Sequence, residues 1–177
     1  MKIINTKFKD LKIIKHAAFI DKRGSLRITH NKKILNKKFI FEYCTTSLKN
    51  SLRGFHFQKK FQQAKYVTVL KGKILDCVID LRKNSKTFGK IFKIILSKKN
   101  NLALYIPRGF AHAYFSFDRE NIIYYKLDNY YAPKYEMGIN SLDKDLKIKW
   151  PKKKFIISKK DLKLDTFKKF KEKIKHL

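Results

Sequence analysis

Long apolar runs are missing from this chain of 177 residues. None approaches the roughly 18 residues that a membrane-spanning helix needs, which excludes a helical membrane protein. The N-terminal stretch from Met1 to His16 breaks its apolar residues with lysine too often for a signal-peptide core, which argues for a cytoplasmic protein. Cysteine is scarce, and Cys44 and Cys77 have no C-x-x-C spacing, so neither a zinc site nor a disulfide framework is suggested. Gly/Ser linkers, internal repeats and low-complexity tracts other than lysine richness are also missing. The expected organisation is therefore one domain over residues 1–157, with residues 158–177 as a C-terminal helical segment of the same domain.

Acidic residues are few, 14 against 44 lysines and arginines, leaving a net charge of +30. A nucleic-acid binder gathers its basic residues on one face and relies on arginine for bidentate phosphate and base contacts. Here the excess is lysine, spread from Lys2 to Lys175 beside abundant isoleucine, asparagine and phenylalanine. That mixture reads as coding bias filling solvated positions, and a nucleic-acid partner is disfavoured. The field still attracts anions, a diphosphate among them.

What is present is a core. Hydrophobic residues make up 44% and aromatics 14%, as in a globular chain. Ala64 to Leu81 reads as two β-branched runs joined by a turn at Lys71-Gly72-Lys73. Phe92–Ser97, Asn101–Pro107, Ala111–Phe117 and Asn121–Leu127 follow as further strands, with "KNSKTFG", "RGF" and "DRE" as turns. Short strands at close spacing predict an all-β antiparallel sandwich or barrel. Leu164, Phe167, Phe170, Ile174 and Leu177 recur at three- and four-residue steps, predicting one amphipathic C-terminal helix. Ser158 with Asp161 is placed to cap its start.

Five places carry candidate chemistry: Arg53 and His56 in "LRGFHFQ", Lys65 in "QQAKYV", His112 in "IPRGFAHAY", Tyr125 in "YYKLDNYYAP" and Asp161 in "SKKD". Together they suit proton abstraction beside a carbonyl. A neutral histidine takes the proton and a cation stabilises the enolate. A tyrosine returns a proton on the opposite face, and an aspartate on the far imidazole nitrogen fixes the tautomer. Spacing alone does not make these side chains converge. Read alone, His56 is more often a packed histidine, Lys65 a solvated lysine, Tyr125 a core aromatic and Asp161 a first-turn helix acid. Arg23 and Arg53 are notable because arginine is scarce beside lysine, which hints at a required guanidinium fork. His16, His30 and His176 read as surface residues. A metal site is disfavoured, because "GFHFQ" has one histidine and lacks the close H-x-H pair that suits a metal ion.

At these residues the sequence resembles the dTDP-4-dehydrorhamnose 3,5-epimerases, homodimeric enzymes with a cupin jelly-roll fold. The resemblance runs through "DKRG" at 21–24, "LRGFHFQ" at 52–58, "QAK" ending at Lys65 and "GKILDCVIDLRKNSKTFGK" at 72–90. It continues through "IPRGFAHAY" at 106–114, "YKLDNYYAP" at 125–133, "IKWP" at 148–151 and "SKKD" at 158–161. The resemblance implies His56 as general base, Tyr125 as general acid, Asp161 as the partner of His56, and Lys65 near the sugar keto oxygen. It implies that Arg23, Arg53, His112, Lys160, Tyr130 and Glu136 bind the nucleoside diphosphate or the sugar. No metal or organic cofactor is implied, because the substrate's own 4-keto group acidifies C3 and C5. The expected substrate is a nucleoside-diphosphate sugar, dTDP-linked, that feeds deoxysugar and polysaccharide biosynthesis.

The chain also departs from that family. Ile28 stands where the family has a substrate-binding glutamate, Phe41 and Tyr43 where it has a Gln-x-Asn pair, and Arg108 where "IPEG" is usual. These changes leave room for a C3-only epimerase or a sugar-nucleotide ketoisomerase. A non-catalytic protein that holds nucleotide-sugar or nucleic acid is the remaining reading.

Overall fold

The computed structural model describes residues 1–152 and 154–175. The chain lays down β1 (Lys2–Asn5), β2 (Lys12–Lys15), a hairpin of β3 (Ala17–Asp21) and β4 (Gly24–Ile28), then β5 (Phe41–Leu48) and β6 (Leu52–Gln58). It goes on through β7 (Lys65–Lys71), β8 (Lys73–Asp80), β9 (Ile91–Ser97), β10 (Leu102–Ile106), β11 (Phe110–Ser116), β12 (Glu120–Leu127) and β13 (Glu136–Gly138). Two helices, α1 (Lys159–Leu162) and α2 (Phe167–Lys175), close the described chain. A six-stranded sheet in the order β1-β2-β10-β7-β12-β5 faces a five-stranded sheet in the order β13-β6-β11-β8-β9. Their pairings are antiparallel, giving the expected jelly-roll sandwich.

The core between the sheets follows from period-two alternation. On β12, Ile123, Tyr125 and Leu127 turn inward, and Ile122, Tyr124 and Lys126 turn outward. Across the gap they meet Ile74 and Val78 of β8 and Leu96 of β9. The outward faces of the central strands are covered as well. Phe55, Cys77 and Ile79 pack beneath Ile139, Leu146, Phe167 and Phe170, while Tyr66 and Tyr105 pack with Leu35 and Phe39. Strands buried on both faces read as continuous apolar runs, which is why β7, β8 and β11 stand out in the sequence.

The turn at Lys71-Gly72-Lys73 joins two strands as expected, β7 in one sheet and β8 in the other. It carries the chain between layers, with Gly72 at φ +83° where a Cβ would meet Asn121 Oδ1 at 2.5 Å. The C-terminal segment is not one helix from Ser158. Ser158 does cap, accepting from the Asp161 N–H at 3.0 Å, but it caps the single turn α1. Helix α2 begins anew at Phe167, whose N–H donates to Asp143 Oδ2 at 2.6 Å. Leu164 precedes α2, and Leu177 and His176 lie outside the described residues. His16 is buried rather than exposed, bonded through Nε2 to the Tyr66 hydroxyl at 2.6 Å, and burial pushes it down to about 4. His30 is half-buried against Phe39 and Tyr66.

Candidate active site

A cavity of about 320 Å³ opens between the two sheets. The five-stranded sheet contributes Arg53 and His56 from β6 and His112 and Tyr114 from β11. The six-stranded sheet contributes Phe41, Tyr43 and Thr45 from β5, Lys65 from β7 and Tyr125 from β12. Tyr131 and Glu136 close the mouth. His56 and Tyr125 thus stand on opposing walls of one chamber.

Arg53 and His56 are three residues apart, an odd offset that would place them on opposite faces of a regular strand. The strand is not regular there. His112 pairs with His56 and Tyr114 with Arg53, so three steps on β6 match two on β11. A bulge of this kind re-aims a side chain. Its centre is Gly54, at φ +103°, where a Cβ would lie 2.4 Å from the His112 carbonyl and 2.7 Å from Ala113 Cα. Only glycine fits a backbone approach this close.

Asp161 reaches the bulge from α1. Its Oδ1 lies 2.9 Å from His56 Nε2, and its Oδ2 accepts from the Gly54 N–H at 3.0 Å. Burial alone would raise this carboxyl, but hydrogen bonds from His56, Gly54 and Ser158, with the His56 charge, hold it below its ordinary value. An ionised Asp161 accepting from Nε2–H fixes the His56 tautomer and leaves Nδ1 as the basic nitrogen. Beside it, the cross-strand partner His112 places Nε2 2.8 Å from Asp76 Oδ2, with both residues buried. The two histidine–carboxylate pairs thus lie side by side on one sheet.

Lys65 is half-buried between two cavities, and burial lowers its ammonium to about 8 against the weaker attraction of Glu136 and Asp76. Tyr125 moves the other way: burial first, then Tyr114, Tyr43 and Asp76, push its phenol well above the ordinary value. Tyr125 therefore stays protonated across the physiological range. At the mouth, Glu136 accepts hydrogen bonds from the Lys160 ammonium and, at 3.0 Å, from the Tyr131 hydroxyl. A larger, mainly apolar cavity of about 530 Å³ lies beyond Lys65, lined by Phe57, Met137 and Phe170. The proton-transfer groups belong to the smaller one.

Most sequence-predicted residues converge. His56, Lys65, Tyr125, Arg53, His112 and Glu136 line the cavity, Asp161 touches it through His56, and Lys160 through Glu136. Two do not. Tyr130 is 62% exposed and outside the lining; its neighbour Tyr131 is the wall residue. Arg23 sits at the tip of the β3–β4 hairpin, its side chain 85% exposed and paired with Asp21 at 2.8 Å. Of the departures, Phe41 and Tyr43 line the cavity. Ile28 belongs to the hairpin, and Arg108 pairs with Asp128 at 3.0 Å, away from the cavity. Sequence reasoning missed Asp76, although an acid inside the apolar run "ILDCVI" is itself a signal of a buried partner.

The family described as dTDP-4-dehydrorhamnose 3,5-epimerase matches residues 5–169. The chain belongs to this family. The dTDP-4-dehydrorhamnose 3,5-epimerase of Methanothermobacter thermautotrophicus is 37% identical over 168 residues, covering 90% of this chain and 91% of that protein. The Bacillus anthracis enzyme, crystallised with TDP and PPi bound, superimposes with a TM-score of 0.91 at 36% identity, covering 94% of this chain and 99% of that one. The Legionella pneumophila epimerase, in complex with dTDP-4-keto-L-rhamnose, gives a TM-score of 0.89 at 34% identity, covering 93% and 92%. This epimerase is a two-sheet sandwich. Its described helices include none long and apolar enough to cross a membrane.

Proposed function

We propose that this epimerase inverts C3 and C5 of a dTDP-linked 4-keto-6-deoxyhexose. The observation that carries the reading is the His56–Asp161 pair at 2.9 Å in a chamber walled on the far side by Lys65 and Tyr125. His56 Nδ1 takes the proton from the carbon next to the 4-keto group, and the electron pair moves onto the ketone oxygen as an enolate. The Lys65 ammonium stabilises that oxyanion in a poorly hydrated site, where a charge acts strongly. Tyr125, on the opposing wall, delivers a proton to the other face of the carbon, and the configuration inverts. The protons on Tyr125 and His56 are then reset by exchange with solvent. Arg53, His112 and the Lys160–Glu136 pair hold the phosphates or the sugar, with Tyr131 rather than Tyr130 at the mouth.

The molecule acts as a homodimer in this reading. Phe19, Ile20 and Leu26 on the β3–β4 hairpin are exposed, Ile20 at 84%, on an element that joins neither large sheet. An apolar hairpin of this kind suits burial against a second copy. There Arg23 would face the second copy's cavity. The function is exercised in the cytoplasm, within deoxysugar and polysaccharide biosynthesis.

Deuterated water tests the chemistry. Enzyme with the 4-keto substrate incorporates deuterium at both C3 and C5, and His56→Ala loses both. Full exchange by that variant removes His56 from the role. Incorporation at C3 alone makes the enzyme a C3 epimerase.

A further inference from the structure

We propose that Tyr43 is a positioning residue for inversion: stacked on Tyr125, it holds that phenol against the sugar face opposite His56. It thereby sets how often the enolate is reprotonated with inversion rather than by return of a proton from the base. The proposal rests on the reading of His56 as base and Tyr125 as acid.

The two tyrosines are brought together by strand register. Tyr43 on β5 and Tyr125 on β12 are direct cross-strand partners whose rings lie 4.8 Å apart at an interplanar angle of 22°. Directly opposed residues on one sheet face are the pairs whose side chains interact most. The contact matters because of what Tyr125 lacks. Among the described residues no hydrogen bond holds its hydroxyl, whereas the neighbouring Tyr114 hydroxyl is bonded to Ser47 at 2.8 Å and Thr45 at 3.1 Å. His56 likewise has Asp161. The direction of the Tyr125 phenol is therefore set by ring contacts. His112 meets the ring edge-on at 6.0 Å from the wall opposite, and Tyr43 covers its flat face.

Tyr43 also has little competing chemistry. Burial, followed by Tyr114, Glu136 and Tyr131, pushes its own phenol up to about 12, so it is a neutral plate at physiological pH. It sits on β5, the edge strand of the six-stranded sheet, and is still partly exposed. Its removal therefore leaves the core between the sheets intact while freeing one face of Tyr125. A reacting group misplaced by about an ångström loses up to roughly a hundredfold in rate. The return of a proton from His56 does not depend on Tyr125 and suffers no such loss.

The experiment measures, in deuterated water, deuterium in recovered unepimerised substrate against deuterium in epimerised product. Tyr43→Ala is expected to raise that ratio about tenfold or more, with the total exchange rate changed far less. Tyr43→Phe, which keeps the flat ring, is expected to restore the wild-type ratio. An unchanged ratio in Tyr43→Ala overturns the proposal, and so does a Tyr43→Phe variant as impaired as alanine. If the alanine variant fails to fold, Tyr43→Leu gives the same readout without an aromatic face. Tyr125→Phe separates the two readings. If it leaves the ratio unchanged, the acid assignment itself has failed; if it raises the ratio while Tyr43→Ala does not, only the positioning role has.

Discussion

Arg53 and His56 point into the same cavity although three residues separate them on one strand, because the bulge at Gly54 absorbs the odd step. Without the bulge, one of the two would face the outer layer packed by Phe167 and Phe170. Substituting Gly54 tests this directly. Gly54→Ala would put a methyl group 2.4 Å from the His112 carbonyl at a positive φ that alanine resists. A loss of stability of at least about 3 kcal/mol is expected, together with loss of activity. Denaturant unfolding of the variant measures the first, and an unchanged midpoint would show that the backbone can relax there.

Asp161 orients His56 and is also tied to the bulge through the Gly54 N–H. Asp161→Asn keeps the shape but presents an amide where Nε2–H needs an anion. The expected result is a fall in turnover on the order of a hundredfold or more, with substrate affinity changed little. Because the native carboxyl is held below its ordinary value, its stabilisation is present above the unfolded pKa and is lost as pH falls through the folded one. The asparagine variant should therefore lose part of the wild type's acid sensitivity of unfolding. Melting curves taken across the acidic range would show that sensitivity undiminished if the carboxyl had no such part.

Much of this arrangement is legible in the sequence, for identifiable reasons. Strands β7, β8, β10 and β11 are central and largely buried on both faces, so their runs are continuous and their turns well marked. The strands before residue 41 are different. Lys2, Lys12 and Lys15 flank pairs of isoleucines in β1 and β2, and β3 and β4 expose both faces, so neither period two nor a long apolar run declares them. Convergence of His56, Lys65, Tyr125 and Asp161 could be inferred only from resemblance, because it depends on pairing between strands far apart in sequence. The doublet Tyr130-Tyr131 is ambiguous for the opposite reason. Neighbours in an extended segment face opposite ways, and motif alignment cannot decide which one faces in.

The β3–β4 hairpin gives a prediction about assembly. Replacing Phe19 and Leu26 together with aspartate would place charges in the surface proposed to meet a second copy. Sedimentation should then report a monomer, with the described core intact by circular dichroism. Activity should fall, because Arg23 would no longer reach a cavity. A fully active monomer would show that each chain works alone.

Lys65 sets function against stability. Its ammonium, at about 8, binds protons less readily in the fold than in the unfolded chain, where lysine titrates near 10.5. Between these values the unfolded state holds more protons, so stability rises with pH across that window and the burial cost is complete below it. Lys65→Met removes the buried charge at similar length. Near pH 7 the variant should be more stable than the wild type by up to about 3 kcal/mol, while its exchange activity is lost. The same titration predicts the alkaline limb of the wild-type rate: activity should decline as pH passes about 8 and the oxyanion loses its cation. Thermal melts of both proteins at pH 7 and pH 10 provide the measurement. The gap between them should close at the higher pH, and a gap independent of pH would mean that Lys65 is charged equally in both states.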